Sequence, residues 1–100
     1  MSEIAKVLNA AADLLEKPGA WMQGKSSGVR ADGTRCFCTM GAIRHLTGES
    51  HSDAEEYFRD RHLPEWGGIT GWNDHPGQKQ DNVVETLRLA AERDAQGAGA

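Results

Sequence analysis

The apolar positions of the chain group into four helical stretches separated by glycine-marked connections. Over residues 3–17, Ile4, Val7, Leu8, Ala11, Leu14 and Leu15 recur at the i, i+3, i+4, i+7 spacing that places them on one helix face. Ser2 is the expected N-cap, because a hydroxyl there accepts from a free N–H of the first turn, and Glu3 suits the positive end of the helix dipole. Lys17-Pro18-Gly19 ends the helix, since proline disfavours helix in the residue before it and glycine lets the chain turn. A second helix over 37–47 carries Cys38, Met40, Ala42, Ile43 and Leu46 and closes on Thr47-Gly48. Gly41 inside it costs roughly 1 kcal/mol relative to alanine, a cost that makes sense if another backbone passes close by. A third helix opens at Ser52-Asp53-Ala54-Glu55, a capping box with Ser52 as N-cap and Glu55 at N3. It presents Ala54, Tyr57, Phe58 and Arg61 or His62 on one side and stops before Pro64. The fourth, over 79–95, has Val83, Val84, Leu87, Ala90 and Ala91 on its apolar face.

The connections have characters of their own. Residues 18–35 are punctuated by Gly19, Gly24, Gly28 and Gly33, and Val29 to Arg35 reads as a small hairpin turning at Asp32-Gly33. Trp21 is the large aromatic that ties this excursion to the core. Residues 65–79 carry Trp66, Ile69, Trp72, Asn73, Asp74 and Pro76-Gly77, with one helical turn over Ile69 to Trp72. The expected fold is mainly α. It is a compact four-helix single domain over 1–95, with a small β-hairpin or extended excursion between helices one and two. The second helix should be the buried centre with the first and last packed on it, and the Trp72-Asn73-Asp74 loop should lock the last helix. Gln96 to Ala100 should fray.

Composition narrows the classes of function. One hundred residues imply one domain with a thin core, so a homodimer would add useful burial. The net charge is −4, and Lys25, Arg30, Arg35, Arg44, Arg59 and Arg61 are scattered rather than striped. Binding to nucleic acid through its phosphate backbone is therefore not expected. No apolar run is long enough to span a bilayer, and the N-terminus does not read as a signal peptide. Two cysteines without an export signal point to reduced thiols in the cytoplasm.

Candidate chemistry centres on Cys36-Phe37-Cys38, where a polar segment turns into a helix. A thiol at a helix N-terminus is favoured as thiolate by the dipole, and His75 beside Asp74 is the best partner set for a thiol enzyme built on Cys38. The competing reading is a core-facing cysteine. A zinc-binding module would draw on Cys36, Cys38, His45, His51, His62 and His75, but the C-x-C spacing and scattered histidines are not those of a structural zinc site. No metal and no cofactor is expected. Asn73-Asp74 is either a cap or Asx-turn, or a recognition pair next to Trp72. Trp66, between Glu65 and Gly67-Gly68, is the tryptophan expected at the surface, where it would anchor a partner protein. The acidic stretch Glu49, Asp53, Glu55, Glu56 and Asp60 is a solvated face or faces a basic partner.

Three segments in order carry a resemblance: Trp21-x-Gln23-Gly24, then Cys38-Thr39-Met40-Gly41-Ala42-Ile43, then Ile69-Thr70-Gly71-Trp72-Asn73-Asp74-x-Pro76-Gly77. With a terminal helix holding Val84 and Leu87, they resemble a domain-of-unknown-function family of small proteins from actinobacteria and their phages. The resemblance covers nearly the whole chain, and Cys36 falls outside its pattern. It implies a fold and an origin, and no activity. The reading that follows is a small non-enzymatic protein-interaction module, phage- or prophage-encoded and acting on a host protein. Trp66, Asn73 and Asp74 are its binding candidates. The alternatives are the Cys38 enzyme with His75 and Asp74, and the zinc module.

Overall fold

The Ser2 hydroxyl accepts from Ala5 N at 3.0 Å and donates to the Asp94 carboxylate, so the N-cap of the first helix is also a tie to the last. The computed structural model describes residues 2–97. Helix α1 (Glu3–Glu16) is followed by a hairpin of β1 (Ser27–Val29) and β2 (Arg35–Phe37), then α2 (Thr39–Thr47) and α3 (Asp53–Tyr57). A π-helical turn (Phe58–His62) prolongs α3, a 3-10 turn (Pro64–Trp66) follows, and α4 (Ile69–Asn73) and α5 (Gln80–Gly97) complete the chain. Among the described residues the protein is thus mainly helical, with five α-helices and the hairpin between the first two. The additional helix is α4, the stretch expected as one turn.

The strands are antiparallel, with Ser27 opposite Phe37 and Val29 opposite Arg35. Their loop closes through Arg30 N to Thr34 O at 2.8 Å and through Asp32 Oδ1, which accepts from Thr34 N at 2.9 Å. Residues 20–22 run beside β2, where Phe37 N donates to Ala20 O and Met22 N to Phe37 O.

The buried face of α1 is Ala5, Leu8, Ala11, Ala12 and Leu15, while Ile4, Val7 and Leu14 sit at its margins. Helix α1 packs chiefly against α5, and the buried faces of both carry small side chains, Ala5, Ala11 and Ala12 on α1 and Ala90 and Ala91 on α5, which suit close approach. Helix α1 also contacts α2 and α3. The packing centre is therefore α1, which corrects the expectation that α2 holds it. Leu46 of α2 is exposed rather than buried. Phe58, with no exposed surface, meets Trp72 edge-on at 5.5 Å and fills the space under α3 and α4. Burying a side chain of this size contributes about 1.5–3 kcal/mol.

Gly41 has the close neighbour that its position called for. A Cβ there would lie 1.9 Å from the Ser26 carbonyl oxygen, which accepts from Cys38 N at 3.1 Å. The hairpin backbone thus rests directly on the first turn of α2. Helix α5 continues through Gln96 and Gly97, beyond the expected end of the domain, and residues 98–100 lie outside the described residues.

Candidate functional site

Asn73, at the end of α4, gathers the three motif segments. It has no exposed surface. Its Oδ1 accepts from Trp21 Nε1 at 2.8 Å, from Thr39 N at 2.9 Å and from Thr39 Oγ1 at 2.7 Å. Its Nδ2 donates to Met22 O at 3.0 Å and to Asp74 Oδ1 at 2.9 Å. Asp74 Oδ1 also accepts from Gly24 N, and Gln23 Nε2 donates to the carbonyls of Asn73 and His75. One buried amide therefore caps the start of α2, fixes the Trp21 indole and pins the strand-like segment 20–24. Both of its polar atoms are engaged internally, which leaves no donor or acceptor for a ligand. As a binding residue Asn73 acts within the fold. Its partners are Trp21 and α2 rather than the last helix. The start of α5 is held separately, by Gln80 Nε2 donating to the Leu15 and Lys17 carbonyls and by Gln78 Nε2 donating to Trp72 O.

Cys38 is the N-cap of α2, its Sγ accepting from Gly41 N at 3.3 Å. Burial pushes its thiol pKa up, and the N–H groups of Gly41 and Met40, which pull the other way, do not offset this. The expected activation by the helix N-terminus is thus outweighed by desolvation. The His75 ring lies against Trp66 at 5.2 Å and over Gly77. Among the described residues no hydrogen bond joins it to Cys38. Asp74 is near enough to raise the Cys38 pKa further by its charge, which is the opposite of activation. Cys36 is buried in β2 and, like Cys38, is a free thiol. The histidines face separate neighbours: His45 against Phe37, His51 beside Glu55, His62 beside Tyr57, His75 against Trp66. Among the described residues no three His, Cys, Asp or Glu side chains converge as metal ligands would.

Trp66 is 38% exposed. It borders a cleft of about 430 Å³ whose lining includes Met40, Ile69 and Thr70 as well as the polar Arg44, Glu55 and Arg59. The polar part is built around a residue the sequence pattern assigned to a cap. The carboxylate of Glu55 is almost fully buried and takes both Arg44 Nε and Nη2 at 2.9 Å, with His51 N donating at 3.2 Å. The forward half of the capping box forms, from Glu55 N to Ser52 Oγ, but the carboxylate turns to Arg44 instead of Ser52 N. Arg44 draws the Glu55 pKa below its ordinary value, chiefly through these hydrogen bonds. The Arg44–Glu55 pair left no signal in the spacing, because its members lie on different helices.

The geometry defines a small helical domain in which a hairpin and three motif segments close over one buried asparagine, with a tryptophan-edged cleft at the surface. The chain belongs to a family of unknown function, DUF6197, whose model matches residues 1–93. No curated protein and no solved structure matches it. Among the described residues no helix is long and apolar enough to cross a membrane.

Proposed function

We propose that this chain is a non-enzymatic protein-interaction module that engages a partner protein through Trp66 and the cleft beside it. The observation that carries this reading is the placement of Trp66. It is a large aromatic left partly exposed beside Gly67-Gly68, braced by His75 and open to a cleft lined by both apolar and charged side chains. Tryptophans so placed are frequent anchors of binding energy, because a rigid indole buries much area at little entropic cost. The loop that carries His75 is held by Gln23 Nε2, which donates to His75 O, and by Asp74 Oδ1, which accepts from Gly24 N. The actinobacterial and phage setting that the sequence resemblance implies makes a host protein of the cytoplasm the natural partner. The thiol-enzyme reading gains nothing from a Cys38 whose thiol burial holds in the protonated form and which no hydrogen bond joins to His75 among the described residues, and the zinc reading gains nothing from four dispersed histidines.

The test compares wild type, Trp66→Ala and Leu89→Ala in affinity capture from host lysate, followed by titration of the captured protein in purified form. Leu89 is a second exposed apolar residue, on α5 and outside the cleft. Trp66→Ala should weaken binding by about 2 kcal/mol or more, while Leu89→Ala binds as wild type. Equal affinity for all three proteins would sink the reading.

A further inference from the structure

We propose that Tyr57, Arg61, His62 and Arg93 form a binding site for a phosphate dianion. The site is made by the π-helical turn that prolongs α3. In a regular α-helix, side chains five positions apart diverge, since neighbours on one face are three or four apart. The wider turn over Phe58–His62 instead brings Tyr57 and His62 together, with His62 Nε2 3.4 Å from Tyr57 Oη and ring centroids 5.4 Å apart. The Arg61 guanidinium lies 5.9 Å over the Tyr57 ring, which orients it. Turns of this kind are uncommon and are found disproportionately at functional sites. Arg93 reaches the same place from α5, and the four side chains line a depression of about 460 Å³ completed by Asp94 and Gly97.

Charge supplies the second, independent argument. Arg44, Arg59 and Arg88 each have a carboxylate within ion-pair distance. Among the described residues Arg61 and Arg93 have none, although acidic residues outnumber basic ones in the chain by 15 to 11. Arg30 and Arg35 also lack one, but they sit on the hairpin, where Arg30 donates to the Gly19 and Trp21 carbonyls and Arg35 lies over Phe37. Neither shares a depression with a second unpaired arginine as Arg61 and Arg93 do. The one carboxylate on the rim, Asp94, is engaged by the Ser2 hydroxyl. Desolvation first, then the two arginines, holds His62 below its ordinary pKa, as a locally positive field would. Two guanidinium forks, an imidazole and a phenol offer more donors than a carboxylate can accept, and they match a tetrahedral oxyanion. The cluster is compact rather than a stripe, which suits a single phosphate and not a nucleic-acid backbone. It shares no lining residue with the Trp66 cleft, so it stands or falls apart from the proposed function.

The test is an NMR titration of the full chain with inorganic phosphate and, separately, O-phosphoserine, with chloride at matched ionic strength as the control. Saturable shifts confined to residues 57–62 and 93–97 are expected with both phosphates. They should be accompanied by a rise in the His62 ring pKa. Arg61→Gln and Arg93→Gln, both at exposed positions, should leave the fold intact and weaken binding by about tenfold each, the effect of losing one hydrogen bond to a charged partner. Tighter binding of phosphoserine would identify a monoester as the ligand, and equal binding a free oxyanion. Shifts reproduced by chloride would overturn the proposal, as would shifts that fail to saturate or that persist in the Arg61→Gln/Arg93→Gln double variant. These outcomes would leave Arg61 as a complement to the C-terminal dipole of the turn that prolongs α3 and Arg93 as a solvated charge on α5.

Discussion

Asn73 shows how one side chain can serve positions that no local pattern connects. Its acceptor oxygen is shared by three donors, and the partners lie 52 and 34 residues away in the chain. Asn73→Ala strands the Thr39 N–H and hydroxyl in the core and frees the indole of Trp21. Each buried donor left unpaired costs about 1–3 kcal/mol, so a loss of about 3 kcal/mol or more is expected in urea unfolding. Thr39→Val removes one donor and leaves the oxygen two others, and should cost only about 1 kcal/mol. Equal losses in the two variants would mean that Asn73 is not the hub. A second residue-scale prediction concerns the thiols. Cys36 and Cys38 are both buried, and burial raises the pKa of Cys38. Iodoacetamide at pH 8 should leave both unmodified in the folded protein and modify both in denaturant. Fast native labelling of Cys38 would revive the nucleophile reading. The sequence marked Asn73, Asp74 and Cys38 as the residues to watch. It did not reveal their use, since an amide, a carboxylate or a thiol takes its role from distant partners.

At the scale of elements, α2 and the hairpin are joined by a contact that only glycine allows. In an exposed helix, alanine is about 1 kcal/mol better than glycine. At position 41 the sign should reverse, because the added methyl meets a backbone oxygen at 1.9 Å and neither backbone can give way cheaply. Gly41→Ala should lower the melting temperature and speed hydrogen exchange at the Cys38 amide, whose bond to Ser26 O would break. A stabilised variant would contradict this packing. Elements whose signals are local were legible in the sequence: the Ser2 cap, the Pro18 stop, the Asp32-Gly33 turn and the Gly48 C-cap, which has φ +74°. The π turn was not legible, because Ala54, Tyr57, Phe58 and Arg61 fit an ordinary helical period. The added residue per turn shows only in the meeting of Tyr57 with His62. Leu46 is a related case: periodicity gives a face but not how closely it is covered, and Leu46 lines an open depression with Ile4 and Val7 of α1 and Ala54 of α3 rather than a packed core.

Across the whole molecule, the helices were readable but not their order of packing. Alanine carries little weight in a hydrophobic pattern, yet Ala5, Ala11, Ala12, Ala90 and Ala91 let α1 and α5 close together and make α1 the centre. A further tie between elements is the Arg44–Glu55 pair, which joins α2 to α3 in the lining of the Trp66 cleft. Its contribution depends on pH, and the sign follows from the direction of the shift. Arg44 holds the folded-state pKa of Glu55 below its ordinary 4.5, so the carboxylate binds its proton less readily folded than unfolded. The stability it supplies is complete above the unfolded value and is lost as pH falls through the folded one. Glu55→Gln should therefore be less stable than wild type by about 1.5–3 kcal/mol at pH 7, the range for hydrogen bonds to a charged partner. The gap should hold down to about pH 5, then narrow as wild-type Glu55 is protonated. Urea unfolding of both proteins between pH 7 and pH 3 measures it directly. A gap unchanged at pH 3 would assign the loss to packing at position 55. A gap that narrows as wild type acidifies would show that the charge itself holds α3, and with it the cleft wall, against α2.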